Sequence, residues 1–154
     1  MQIKNVNLED LKKIMILQLE TFKENAFTEK LMKDLIERNT FFLKLESNNN
    51  NNELIGFIIV IRDRIDRVNI VNFLINPKFQ NKGLGSLLLK FTLEQIKEIK
   101  EIKRVALNVQ ESNIMAIRLY EKFKFKKHPK KIENYYQSGE SAYLMELNID
   151  SLYP

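Results

Sequence analysis

The chain has 154 residues, of which 44% are hydrophobic and 29% charged, with a formal net charge of +5. It has no cysteine and a single histidine, His128, which excludes disulfide frameworks, thiolate zinc sites, a cysteine nucleophile and any site needing two imidazoles. No apolar run is long enough to cross a bilayer and MQIKNVNLEDLKK lacks a signal peptide's apolar region, so the expectation is one globular domain, 1–154, in the cytoplasm, with no membrane partner.

Met1 to Val6 reads as a short strand. Asn7 then offers a helix cap, and Leu8, Leu11, Ile14, Met15 and Leu19 recur at helical spacing. Thr28 opens a second helix with Leu31, Leu35 and Ile36 on one side. FFLKLES (41–47) and ELIGFIIVIRD (53–63) read as strands rich in β-branched and aromatic residues, and the asparagine tract between them reads as a hairpin tip. RVNIVNFLI (67–75) is the next strand, followed by a helix through Leu84, Leu87, Leu88, Phe91, Ile96 and Ile99. Strand RVALNVQ (104–110), helix SNIMAIRLYEKF (112–123), a strand at Lys124–Lys127 and a closing strand SAYLMELNI (141–149) complete the chain. This order, β–α–α–β–β–β–α–β–α–β–β, implies a mixed α/β domain built on one open sheet.

Most basic residues interleave with acids, as in EQIKEIKEIKR, which suits a solvated helix face. KFKFKKHPKK (122–131) contains no acid and is a candidate for attracting a cofactor phosphate, a ribosome or a partner subunit. A DNA-binding role would rest on that stretch alone.

Two of the four glycines fall in QNKGLGS (80–86), between a strand and a helix. Amides at a helix start lack intrahelical partners and carry partial positive charge, and glycine lets a phosphate approach them. Lys82 and the Ser86 hydroxyl are further candidate donors. Glycine spacing alone leaves a phosphate site and a plain tight turn equally open. A dinucleotide fingerprint would need glycine where Leu88 stands, and a nucleotide-hydrolase loop would need lysine after the last glycine, whereas Lys82 precedes Gly83.

Gln80-Asn81-Lys82-Gly83-Leu84-Gly85 fits (Gln/Arg)-x-x-Gly-x-(Gly/Ala) and resembles the pyrophosphate motif of the GNAT superfamily of acetyl-CoA-dependent N-acetyltransferases. LNVQESNIMAIRLYEKF and ENYYQSGESAYLMEL are similar to the branch that acetylates protein N-termini, the ribosomal-protein alanine acetyltransferases and the NatA- and NatE-type catalytic subunits. The resemblance implies the GNAT fold, an open, mostly antiparallel sheet of about seven strands with about four helices, and acetyl-CoA as cosubstrate without a metal. It implies that Phe73, Leu74 and Ile75 hold the pantetheine arm and acetyl carbonyl, and that Gln80 through Ser86 hold the pyrophosphate. It gives Asn113 a contact with the pantetheine and Tyr120 the role of proton donor to the leaving thiolate. The loop at about 22–28, with Phe27 as its apolar wall, and the loop carrying Tyr135 and Tyr136 match those that clamp the acceptor's first residues.

Related enzymes place a basic side chain at positions held here by Asn108 and, approximately, Asn69, which leaves Asn108 as a water-holding group and Glu20, Glu24 and Tyr135 as alternative bases. An α-amine titrates near ~7.8 and is roughly one quarter neutral at pH 7.4, against about 0.1% for a lysine near ~10.4. The gap corresponds to ~3 kcal/mol of barrier that a base must offset. A site without a strong base therefore suits a protein or peptide N-terminus better than lysine. A small-molecule amine acceptor and a non-catalytic, CoA-binding auxiliary protein are the alternative readings.

Overall fold

The computed structural model describes residues 1–49 and 51–152; Asn50, within the asparagine tract, lies outside the described residues. The strands are β1 (Gln2–Asn5), β2 (Phe41–Glu46), β3 (Leu54–Arg64), β4 (Arg67–Ile75), β5 (Arg104–Gln110), β6 (Lys126–Lys127) and β7 (Ala142–Asn148). The helices are α1 (Leu11–Phe22), α2 (Glu29–Glu37), α3 (Leu84–Lys97) and α4 (Ile114–Lys122). The strands form one sheet in the order β1-β2-β3-β4-β5-β7-β6, antiparallel throughout except for the β4/β5 pair.

Both faces of the sheet are covered. On one face α3 and α4 bring Leu88, Leu89, Leu93, Ile96 and Ile117 onto Ile58, Val60, Val68 and Val105. On the other, α1 and α2 bring Ile14, Leu17, Met32 and Ile36 onto Phe42, Phe57 and Ile59. β3 runs between the two layers, which is why LIGFIIV shows no apolar–polar alternation. Each of these side chains contributes ~1.5–3 kcal/mol by leaving water.

The helix faces differ in detail from their sequence patterns. In α1 the buried positions are Ile14, Leu17 and Gln18, while Leu19, and Leu8 in the turn before the helix, face solvent. In α2, Met32 and Ile36 are buried and Leu31 is exposed, and in α3 Leu87 is exposed. Asn7 does cap the entry to α1, taking the Glu9 amide at 2.9 Å while Asp10 takes the Asn7 amide at 2.9 Å. Thr28 caps α2 through the Leu31 amide. The expected strand at 124–127 shrinks to Lys126–Lys127, because Lys124 sits at φ 75° and the Lys124 and Phe125 amides turn back onto the carbonyls of Glu121 and Tyr120.

One irregularity positions the site. β3 and β4 pair as Ile59↔Asn72 and then Val60↔Ile70, so Val71 is an extra residue in β4. An added residue reverses which face each following side chain meets. Before it, Val68 and Ile70 face α3 and α4; after it, Phe73 and Ile75 do, and Leu74 joins the opposite layer.

Candidate active site

β4 and β5 pair only from Arg67↔Arg104 to Ile70↔Leu107. Past that point β4 follows β3, with Phe73 opposite Ile58 and Ile75 opposite Gly56, while β5 follows β7, with Asn108 opposite Leu144. The sheet therefore splits in the middle. The Val71–Ile75 backbone becomes an interior edge, able to pair with an extended ligand as another strand would. Two clefts occupy the split, and Phe22, Phe73, Asn113 and Tyr120 line both.

The larger cleft has a volume of about 300 Å³ and runs from Phe73, Leu74 and Ile75 past Gln80, Asn81, Gly83, Leu84, Gly85 and Ser86 to Asn113, Ala116, Leu119 and Tyr120. The start of α3 forms part of its wall. The first hydrogen bond there joins the Leu87 amide to the Gly83 carbonyl at 3.1 Å, which leaves the amides of Leu84, Gly85 and Ser86 without intrahelical acceptors. Gly83 adopts φ +77°, and a Cβ built there would meet no atom within 4 Å, so the backbone lies open toward the cleft. The loop is held from behind by the Gln80 side chain, whose Nε2 donates to the Ile75 carbonyl at 3.0 Å. Donors at one end and apolar walls along the rest match a diphosphate joined to a long, thin chain, so these residues fit the chemistry of acetyl-CoA.

The smaller cleft, about 90 Å³, opens on the other side of the split between Phe22, Asn25, Phe27, Val71, Asn72, Asn108 and Tyr136. Gln18 and Phe27 are tied by two backbone–amide hydrogen bonds, Nε2 to the Phe27 carbonyl at 2.8 Å and the Phe27 amide to Oε1 at 2.7 Å. The loop after α1 also reaches the loop before β7: Asn25 Nδ2 donates to Ser138 Oγ at 3.2 Å and the Ser138 amide donates to Asn25 Oδ1 at 3.0 Å. Among the described residues no carboxylate and no imidazole lines either cleft.

Tyr120 stands where the clefts meet, 6% exposed, with its ring 6.2 Å from Phe73 and 5.6 Å from Phe125. Burial, with a smaller effect from Tyr136, raises its hydroxyl well above the usual value for tyrosine, so it holds its proton at neutral and mildly alkaline pH. Tyr136 is raised in the same direction, mainly by burial and then by Tyr135 and Glu140.

Eleven of the residues expected around the cofactor come together in the larger cleft: Phe73, Leu74, Ile75, Gln80, Asn81, Gly83, Leu84, Gly85, Ser86, Asn113 and Tyr120. Leu74 packs its side chain into the α1–α2 layer, so it offers that cleft backbone. Lys82 does not line the cleft; its ammonium lies 5.8 Å from the Phe79 ring centroid. Asn113 precedes α4 as its cap, with Oδ1 taking the Ala116 amide at 3.2 Å, so its Nδ2 is the end free for a ligand. Phe27, Tyr136 and Asn108 line the smaller cleft. Tyr135 does not; it lies outside, half exposed, with its hydroxyl accepting from Asn108 Nδ2 at 3.0 Å. Glu20 and Glu24 line neither cleft. The loop expected at about 22–28 supplies Phe22 and Asn25 beside Phe27; sequence reasoning missed Val71 and Asn72, whose positions depend on a bulge without a motif. Ala116 and Leu119 were within reach, since they lie three and six residues after Asn113 on the face that carries Tyr120.

Known proteins resemble this chain in sequence and in fold. The family model described as acetyltransferase (GNAT) matches residues 8–125. An N-alpha-acetyltransferase of Sulfurisphaera tokodaii is 27% identical over 155 residues, covering 94% of this chain and 90% of that protein. A spermine/spermidine N(1)-acetyltransferase of Bacillus subtilis is 42% identical over 59 residues, a match that spans 38% of this chain and 39% of that protein. The crystal structure of Ard1 from Thermoplasma volcanium superimposes with a TM-score of 0.86 at 24% identity, covering 96% of each chain, which establishes a common fold.

Proposed function

The chain belongs to the GNAT acetyltransferase family, and from that premise we propose that it transfers acetyl from acetyl-CoA to the α-amino group at the N-terminus of a protein or peptide. The observation that carries this reading is the junction of two clefts lined by Tyr120 and by no acid or imidazole among the described residues. Such a site offers no carboxylate or imidazole to take a proton from an ammonium group of high pKa or to pair with a polycation. An α-amine, already partly neutral near pH 7.4, does not need that help. The full-length similarity to an N-alpha-acetyltransferase supports the same acceptor.

Acetyl-CoA supplies the thioester. The amides of Leu84, Gly85 and Ser86 would hold its diphosphate end, with the Gln80 side chain bracing that loop against the Ile75 carbonyl, and the β4 edge from Phe73 to Ile75 would hold its arm. The acceptor amine enters between Phe27, Asn72 and Tyr136. Its nitrogen forms the new C–N bond as the C–S bond breaks, and the Tyr120 hydroxyl gives its proton to the departing sulfur. The amine's proton leaves through water held by Asn108, and a proton returned through water restores the Tyr120 hydroxyl. The lysines exposed between 122 and 130 support a setting beside a ribosome or an auxiliary subunit, and the absence of cysteine accords with the cytoplasm.

The test is acetyl transfer from labelled acetyl-CoA to three acceptors: a peptide with a free N-terminus, the same peptide Nα-blocked but carrying a lysine, and spermidine. The expected result is label on the free N-terminus and little on the others. Label confined to spermidine or to the blocked peptide overturns the reading, and CoA binding without transfer to any acceptor would mark an auxiliary protein.

A further inference from the structure

We propose that the Thr21 hydroxyl is a ligand for the cofactor: when acetyl-CoA fills the larger cleft, this hydroxyl turns onto the thioester carbonyl oxygen and donates a hydrogen bond that nothing in the chain accepts. The inference rests on acetyl-CoA occupying that cleft and does not depend on which amine receives the acetyl group.

Thr21 is the penultimate residue of α1 and lines the larger cleft with Phe22, Phe73 and Leu74. Its Oγ1 is out of reach of solvent. Alone among the buried side-chain nitrogens and oxygens of the described residues, it has no hydrogen-bond partner. Burying such a group costs desolvation with no return, and folded chains seldom keep one without a use for it. Thr92 shows the ordinary arrangement: wholly buried in α3, its Oγ1 donates to the Leu88 carbonyl one turn back at 2.8 Å. Thr21 makes no such bond, so its proton is uncommitted.

The residue as a whole is partly exposed, so the hydroxyl lies behind the surface that Thr21 shows to the cleft. A helical threonine divides between two side-chain rotamers, and a hydroxyl without a partner gives up no hydrogen bond in turning. The next residue, Phe22, lines both clefts together with Tyr120. Thr21 is therefore one residue from the junction at which the thioester meets the amine. Of the other side-chain donors around the larger cleft, Gln80 is spent on the Ile75 carbonyl and Tyr120 is assigned to the sulfur, which leaves the carbonyl oxygen to Thr21. As the amine nitrogen bonds to the carbonyl carbon, the C=O pair moves onto oxygen. It returns when the C–S bond breaks and the sulfur takes the Tyr120 proton. A hydroxyl donating there is strongest while the oxygen carries that charge.

The experiment measures by calorimetry how the native chain, Thr21→Val and Thr21→Ser bind acetyl-CoA and coenzyme A, which has no thioester carbonyl. Thr21→Val, close in shape but without the hydroxyl, is expected to weaken acetyl-CoA by roughly threefold to tenfold and to leave coenzyme A unchanged. With whichever acceptor takes label, its kcat is expected to fall by about tenfold to a hundredfold. Thr21→Ser is expected to recover most of both losses. Without ligand, Thr21→Val is expected to keep or raise the melting temperature, since it removes a buried group that has no partner. Thr21→Ala replaces the valine variant in the binding and rate measurements if circular dichroism shows that the latter does not fold. Equal losses with both ligands overturn the proposal by moving the contact to an amide of the arm, and unchanged affinity and rate with acetyl-CoA overturn it outright. So does a melting temperature lowered by valine and restored by serine, which would place the hydroxyl's partner within the chain. A native chain that binds neither ligand has lost the cofactor reading itself, and the proposal falls with it.

Discussion

At the scale of single residues, Tyr120 is held in a protonation state by its surroundings. Burial between Phe73 and Phe125 penalises the phenolate, so the hydroxyl stays neutral well above pH 10. The acceptor's α-amine behaves oppositely and gains reactivity as it loses its proton near ~7.8. The rate profile then follows from the two signs. kcat/KM for a peptide is expected to rise with pH through the amine's titration and to level off, with no falling limb below about pH 10. Tyr120→Phe is expected to lower kcat by about 10²-fold or more, the usual share of a positioned acid, while coenzyme A still binds. A descending limb near pH 8 would assign the acid to another group.

At the scale of elements, the pairing of β3 with β4 holds the cofactor cleft in shape, and Gly56 is its tightest point. A Cβ at Gly56 would come within 2.5 Å of the Leu74 carbonyl oxygen and 2.6 Å of Ile75 Cδ1. The oxygen belongs to the backbone and cannot rotate away, so β4 must shift. Gly56→Ala is expected to cost about 1–3 kcal/mol in thermal or urea unfolding and to weaken coenzyme A binding, although Gly56 does not line the cleft. Unchanged affinity in a destabilised variant would mean that the β4 edge holds its position without β3. The Val71 bulge belongs to the same scale. It turns Phe73 and Ile75 toward the cofactor side and Leu74 away, a reversal that alternation within VNIVNFLI does not announce.

At the scale of the whole molecule, stability against acid depends on a buried charge cluster where β1, β2 and the turn before α1 meet. Lys44 bonds Asp10 at 2.8 Å and Glu46 at 3.2 Å, and Lys4 reaches Glu46 at 3.2 Å. Burial alone would raise the Glu46 carboxyl, but the hydrogen bonds from Lys44 and Lys4 outweigh it and hold it below its ordinary value near 4.5. Burial likewise opposes the charge on Lys44, yet its carboxylate partners raise it above 10.5. The Glu46 contribution is complete above pH 4.5 and is lost as pH falls through the lower, folded value. That of Lys44 is complete below 10.5 and fades as pH climbs through its raised value. Glu46→Gln is expected to lower the melting temperature at pH 7, by roughly 2–4 °C for each kcal/mol lost, and to flatten the fall in melting temperature below pH 4.5. An unchanged acid slope would place the acid-sensitive group elsewhere.

Much of this protein was legible in its residues because the relevant physics is local. Glycine at 83 permits a positive φ, and a strand, an Asn-Pro turn and a helix start follow one another within a dozen residues; together they describe a helix start whose first amides lack intrahelical partners. The order of strands and helices was readable for the same reason, since periodicity and capping act over a few residues, as Asn7 and Thr28 show. The smaller cleft draws its walls from segments distant in sequence, and no short-range pattern ties Phe22 and Asn25 to Val71, Asn108 and Tyr136. Only the folded chain could decide that Tyr135 stands outside while Tyr136 lines the cleft, or that Glu20 and Glu24 stay away from it. Those outcomes turn on where β4 parts from β5 and on a buried glutamine gripping a loop, and both are long-range choices settled by packing.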